Sequence, residues 1–225
     1  MITQAEYDRL ARQGYNRIPL QTEVLADLET PVSAYLKMAQ GPYSYLLESV
    51  QGGEKWGRYS IIGLPCPTVI RVTGDSLLIE QEGEEIYRQE TDDPLAAIQS
   101  IHRQFNVPQL DTLPRFNGGL VGYFSYDTVR YIEPHLADSD LPDPVGAPDI
   151  LLMVSDELLV FDNLSGRLHI VVHTDPESDD AYASGCERLD QLVEQISSLS
   201  IGRATPVGQV VRESDFRSSF VQEDF

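Results

Sequence analysis

A row of short strand-like runs between 44 and 88 limits what this chain can fold into more than any other feature. SYLLES at 44–49, RYSIIG at 58–63, PTVIRVT at 67–73, SLLIE at 76–80 and EEIYR at 84–88 follow one another closely. Gly74-Asp75 and Glu82-Gly83 supply turn signals between three of them. Strands joined by such short turns pair antiparallel, because parallel pairing needs a crossover of about a dozen residues or more. Further strand-like text covers 117–127, 150–161 and 166–173. The last two are joined across 162–166 and predict a hairpin: LLMVSDELLVF, turn, RLHIVVH.

Three helix starts share one signal. Thr30-Pro31, Asp93-Pro94 and Asp175-Pro176 each set an N-cap oxygen before a proline at the first helical position. The first predicts a stripe of Val32, Tyr35, Leu36 and Ala39, with Gly41 as a left-handed stop. The second predicts Leu95, Ile98, Ile101 and Phe105 on one face. The third predicts Tyr182, Cys186, Leu189, Val193 and Ile196, with Glu177, Asp179 and Asp180 in its first turn, where the macrodipole favours negative charge. Antiparallel sheets packed with a few helices make the fold class α+β.

The organisation predicted is one unit over 1–196, a Ser-, Gly- and Pro-punctuated linker over 197–212, and the start of a further domain at 213–225. In that last stretch Phe216, Phe220 and Phe225 sit among polar residues, and Ser219 with Gln222 is a weak capping box. Residues 134–149, with four prolines and four aspartates, read as a surface loop. With 41% hydrophobic residues the chain can build a core, so its net charge of −20 belongs to an acidic surface rather than a disordered tail. Such a surface argues against nucleic acid or an anionic membrane as partner. No run approaches the ~18 apolar residues of a membrane span, and MITQAEYDRLARQGYN has no apolar core of a secretory signal. Cys66 and Cys186 lie far apart, with neither disulfide-framework nor zinc spacing, which fits a reducing cytoplasm.

Few residues suggest hydrolytic or metal chemistry. His169 and His173 share a strand face but stand roughly 13 Å apart along it, too far for one metal; His102 and His135 have no partner motif. Gly118-Gly119-Leu120-Val121-Gly122 lacks the order of a phosphate-binding loop and opens no helix, so its glycines read as close backbone approach or a bulge. The segment 46–63, LLESVQGGEKWGRYSIIG, is richer. It brings Glu48, Ser49, Arg58, Tyr59 and Ser60 to neighbouring strand ends beside apolar positions. An acceptor, a hydroxyl and a guanidinium suit an amino acid, whose ammonium needs acceptors and whose carboxylate needs donors. An ordinary hairpin with a Glu48–Arg58 surface pair is the simpler reading of the same spacing.

LLESVQGGEKWGRYSIIG, together with FNGGLVGYFSYDTVRYIE at 116–133 and VSDELLVFDN at 154–163, resembles the N-terminal domain of anthranilate synthase component I. RSSFVQEDF resembles the boundary where that family's chorismate-binding domain begins. The resemblance covers about Tyr15 to Phe225 and implies the following. The family converts chorismate to anthranilate and pyruvate with Mg²⁺ and with ammonia from a glutamine amidotransferase subunit, and L-tryptophan inhibits it. By motif match Glu48 and Ser49 form the core of the inhibitor site, Pro31 and Leu47 line it, and Arg58 is a basic contact. An indole buries roughly 150–250 Å², worth about 4–6 kcal/mol before binding costs. Tyr45, Leu46, Leu47 or Val50 can supply its apolar wall, according to which strand face lines the pocket.

The family's chorismate and Mg²⁺ residues belong to the domain expected after Phe225, so this chain is expected to bind no Mg²⁺ and to lack lyase activity alone. Two other readings stand beside a tryptophan-binding regulatory domain. One is the equivalent domain of aminodeoxychorismate synthase component I; the other is a docking module for the amidotransferase subunit.

Overall fold

The computed structural model describes residues 1–48, 57–136, 145–198 and 212. Among the described residues ten strands form two antiparallel sheets, with four α-helices packed on them. In chain order the elements are α1 (Gln4–Arg12), β1 (Ile18–Leu25), α2 (Pro31–Met38), β2 (Tyr45–Glu48) and β3 (Tyr59–Gly63). Then come β4 (Thr68–Thr73), β5 (Ser76–Gln81), β6 (Glu84–Glu90), α3 (Pro94–His102) and β7 (Gly119–Phe124). Last are β8 (Ile150–Ser155), β9 (Glu157–Asp162), β10 (Arg167–Thr174) and α4 (Ala181–Ser198). One sheet runs β1-β10-β9-β3-β2 and the other β6-β5-β4-β8-β7. The α+β, antiparallel reading of the strand row is therefore what the chain adopts.

Each sheet buries a helix-covered face. On the first, Ile18, Leu20, Ile62, Leu159, Phe161, Leu168, Ile170 and Val172 alternate inward and meet Tyr7 and Leu10 of α1, Ala34 of α2, and Leu189, Leu192 and Ile196 of α4. On the second, Ile70, Val72, Leu77, Ile150 and Leu152 pack against Ile98 of α3. The opposite face of the first sheet has its own small core of Leu158, Val160 and Val171 beneath Leu113 and Phe116.

Several expectations need correction. LLMVSDELLVF is two strands rather than one: it breaks at Asp156, so β8 pairs β4 and β7 while β9 pairs β10 and β3. The 162–166 hairpin joins β9 to β10 as expected. The helix predicted from Asp175 begins at Ala181. Asp175 instead holds a turn, accepting from the backbone of Glu177 at 3.0 Å, and Asp180 sits at φ 50, a left-handed conformation a helix interior excludes. Glu177, Asp179 and Asp180 thus precede the helix. On α2 the buried residue is Ala34, whereas Val32 and Leu36 are exposed, because the helix rests against the sheet by its small side. Gly41 is not left-handed; Tyr43 takes that conformation at φ 58. After Phe124 the 117–127 run turns into a short 3₁₀ segment, Tyr126–Tyr131.

Two elements were absent from the sequence reading. α1 is closed by a Thr3/Glu6 capping box, and β1, with Gln21 and Glu23 among its apolar residues, pairs with β10 over its whole length. Of the expected linker and following domain, 199–211 and 213–225 lie outside the described residues, as does 137–144 of the 134–149 loop.

α4 approaches β1 and β10 closely at Gly185. A Cβ there meets Thr174 Cγ2 at 2.5 Å and Leu20 Cδ1 at 2.7 Å. Thr174 cannot swing away, since its Oγ1 bonds Tyr7 Oη at 2.8 Å and donates to the Ile18 carbonyl at 2.9 Å. Gly185→Ala gains about 1 kcal/mol of helix propensity but incurs overpacking of about 1–3 kcal/mol. The expected result is a net loss of about 1 kcal/mol in urea unfolding; a stabilised variant contradicts the close packing.

Candidate functional site

The amino-acid-like inventory of 46–63 falls at the β2–β3 end of the first sheet, where β2 is an edge strand. Tyr45 faces Gly63, Leu46 faces Ile62, Leu47 faces Ile61 and Glu48 faces Ser60. The pleat sends alternate residues to opposite faces. Leu46 packs into the helix-covered core with Ile62, so Glu48, two residues on, shares the face on which α2 lies. Leu47 points to the opposite face and is 50% exposed.

Helix α2 is positioned by its own first turn. Thr30 and Ser33 form a reciprocal capping box at 3.1 and 2.9 Å, and Pro31 occupies the first turn, where a missing N–H costs nothing. Glu29 accepts from Ser33 Oγ at 2.6 Å and from Lys37, which also donates to the Ile196 carbonyl of α4 at 3.2 Å. Burial alone would raise the Glu29 carboxyl, but the hydrogen bonds from Lys37 and Ser33 outweigh it and hold it below its ordinary value. Tyr35 Oη reaches Ser44 Oγ at 3.2 Å, tying α2 to the entry of β2.

Arg58 does not pair with Glu48. Its Nε and Nη2 form a fork on Asp162 Oδ1 and Oδ2 at 3.0 and 2.7 Å, and its guanidinium lies 4.9 Å from the Tyr59 ring centroid. Asp162 is 4% exposed and also accepts from the backbone of Leu164 and Ser165 at 3.1 and 3.4 Å. The Arg58 fork, aided by those turn donors, holds its carboxyl well below the usual carboxylate range. The neighbouring Asn163 gives its Nδ2 to the Gly57 carbonyl and Ser60 Oγ, both at 3.2 Å, and its N–H to the Arg58 carbonyl at 2.8 Å. The β9–β10 turn therefore fixes the strand entry that carries Arg58.

The structure brings Pro31, on α2, and Glu48 to one side of the sheet and places Leu47 on the other. Ser49 and Val50 lie outside the described residues. Of the remaining candidates for an apolar wall, Leu46 is committed to the core. Tyr45 is committed to the second sheet, its Oη bonding Ser155 Oγ at 2.7 Å, with burial pushing the phenol up to about 12. Asp162 and Asn163 were missed as site-building residues. Their signal is an Asp-Asn pair opening a turn, where such side chains bond nearby backbone.

The glycines at 118–122 behave as close approach. Gly118 has φ +142, and a Cβ on it meets His173 Nε2 at 2.6 Å. His169 stands 3.5 Å from Glu23, and His173 Nε2 lies 2.6 Å from the Asn117 carbonyl. Among the described residues no three His, Cys, Asp or Glu side chains are grouped to hold a metal ion.

No family model matches the chain. Curated relatives match nearly all of it. It is 53% identical to anthranilate synthase component 1 of Pseudomonas aeruginosa over 98% of its length, covering 45% of that protein. It is 47% identical to anthranilate synthase component 1 of Neisseria meningitidis serogroup B over 100% of its length, covering 46% of that protein. The chain thus spans about half the length of the relatives it matches. The crystal structure of anthranilate synthase component I from Streptococcus pneumoniae TIGR4 aligns with 79% of this chain and 37% of its own, at TM-score 0.49 and 23% identity.

The Arg58–Asp162 fork makes stability acid-dependent. A carboxyl with a depressed folded pKa stabilises fully above its unfolded value, about 4, and loses that contribution as pH falls through the folded one. Urea midpoints of the wild type should fall steadily below about pH 4. Asp162→Asn should start lower at neutral pH and show a shallower acid slope; equal slopes contradict the assignment.

Proposed function

We propose that this chain, homologous to anthranilate synthase component 1 along nearly its whole length, is the L-tryptophan-binding regulatory part of such an enzyme. The observation that carries the reading is the 53% identity across 98% of the chain, which includes the LLES and GRYS segments. The full enzyme would convert chorismate to anthranilate and pyruvate in tryptophan biosynthesis, drawing ammonia from a glutamine amidotransferase subunit. Glu48 would accept the ligand's ammonium and Ser49 would bond its polar end. Pro31 and Leu47 would supply apolar contact, and Arg58 a basic rim.

Feedback then works by differential binding. Tryptophan stabilises one placement of this unit against the chorismate-binding domain, and so depletes the arrangement competent for chorismate. Mg²⁺ belongs to that other domain in this reading. Both cysteines are free thiols, and burial pushes Cys66 up to about 11, which suits an unreactive thiol in a reducing cytoplasm. The described residues contain no helix long and apolar enough to cross a membrane. The anthranilate branch is favoured over the aminodeoxychorismate one because the relatives at 46–53% identity carry the anthranilate name.

Two measurements test this. Titration calorimetry should show saturable L-tryptophan binding, weakened at least about tenfold in Ser49→Ala. Absence of binding in the wild type leaves docking of the amidotransferase, or a pocket that the chorismate-binding domain must complete. Incubation with chorismate, ammonia and Mg²⁺ should yield no fluorescent anthranilate; its appearance would place the lyase chemistry within these 225 residues.

A further inference from the structure

Across the first sheet from β2, a cavity of about 370 Å³ opens between the start of β1, the start of β7 and the Asp156 crossover. Its apolar walls include Phe105, Val107, Leu120 and Val154, and its polar wall carries Arg17, His102, Asn106, Asn117, Asp156 and His173. Pockets of this size and make-up are typical of small-ligand sites.

The charges around it do not balance. Arg17 directs Nη1 to Asp175 at 3.3 Å, while its Nε stays 3.8 Å from Asp156 Oδ1, beyond hydrogen-bond reach. One cation thus faces two carboxylates. The imidazole of His173 adds no compensating charge, because burial pulls its pKa below the ordinary value. Its Nε2 donates to the Asn117 carbonyl at 2.6 Å, which leaves Nδ1 an acceptor. Burial also pushes the Asp156 carboxyl up despite the opposing pull of Arg17 and His173, although 36% of its side chain stays exposed. The Asp175 carboxylate, by contrast, has both Arg17 and the backbone of Glu177. Asp156 is therefore the less closely paired of the two carboxylates, at the wall of a cavity of mixed polar and apolar lining.

We propose that this cavity binds a small organic cation, a primary ammonium on an apolar body, with Asp156 as its counter-ion. An ammonium supplies the three donors that Asp156 lacks, and an aromatic or aliphatic body fills the space against Phe105, Leu120 and Val154. An anionic ligand is disfavoured by the same carboxylate. The inference is independent of the tryptophan reading, which concerns the β2–β3 end.

Benzylammonium chloride is the probe, added to the full chain at constant ionic strength and followed by amide chemical shifts of Gly118, Gly119 and Leu120. The expected result is saturable movement with a dissociation constant at or below about 1 mM. Neutral benzyl alcohol, nearly the same shape, should bind at least about tenfold more weakly. Asp156→Asn should lose the same factor. Leu120→Trp, which keeps the carboxylate and fills the chamber, should abolish binding, with circular dichroism confirming that each variant is folded. Absence of saturation in the wild type overturns the proposal. So does equal binding of the alcohol, or unchanged binding in either folded variant.

Discussion

The run from Ile150 to Asp162 is the constraint on which both sheets depend. It supplies an interior strand to each, β8 to one and β9 to the other, and the change of sheet occurs within the single residue Asp156. Around that point the backbone is bonded from several directions. The N–H of His173 reaches the Asp156 carbonyl at 2.8 Å, and that of Leu64 reaches Glu157 at 3.0 Å. Ser155, fully buried, takes the Tyr45 hydroxyl from the far edge of the first sheet. Arg188 of α4 closes a fork on Glu157 at 2.7 and 2.8 Å. Displacing the crossover would therefore disturb β2, β10 and α4 together, which makes it a poor place for motion and a good frame for sites at either end.

That frame explains why the two candidate sites differ in character. The β2–β3 end is an edge: its strand has one neighbour, Glu48 and Leu47 are exposed, and its order comes from side-chain bonds out of the Asp162-Asn163 turn. Such an end is built to be completed by something else. The cavity near Asp156 is walled by the frame itself, with Arg17 just before β1, Asp156 between β8 and β9, and His173 on β10. An edge leaves a ligand open to contact with a further partner; a cavity walled by one unit can hold a ligand by that unit alone.

Much of the architecture was legible because local chemistry determined it. The short turns forced antiparallel pairing, and Thr30-Pro31 and Asp93-Pro94 capped their helices as the residues require. Asp175-Pro176 carries the same signal and failed, because Asp175 spends its carboxylate on a turn and on Arg17. The break at Asp156 does carry a local mark, the polar Ser155-Asp156-Glu157 between LLMV and LLVF. What local sequence cannot show is that the two halves serve different sheets; that is decided by which strands lie beside them. The partner of Arg58 was hidden likewise: Glu48 is near in sequence, but Asp162, 104 residues away, is buried with backbone donors already turned towards it.

The Arg58 pairing also bears on how an amino acid could be held at the β2–β3 end. A zwitterion approaching a chain of net charge −20 finds acceptors for its ammonium easily and donors for its carboxylate with difficulty. Among the described residues Arg58 is the motif's cation, yet the Nε and Nη2 edge of its guanidinium is already taken by Asp162. Only its remaining N–H groups could serve, without the bidentate geometry that makes arginine a strong carboxylate binder. In the proposed reading the ligand's carboxylate would then rely on the Ser49 hydroxyl, on Lys55 of the same motif, on backbone N–H groups, or on a donor from the chorismate-binding domain proposed to pack against this edge. The last of these would link occupancy directly to domain placement. A site completed in that way would bind fully only when the second domain is docked, and by reciprocity its ligand would favour that docking.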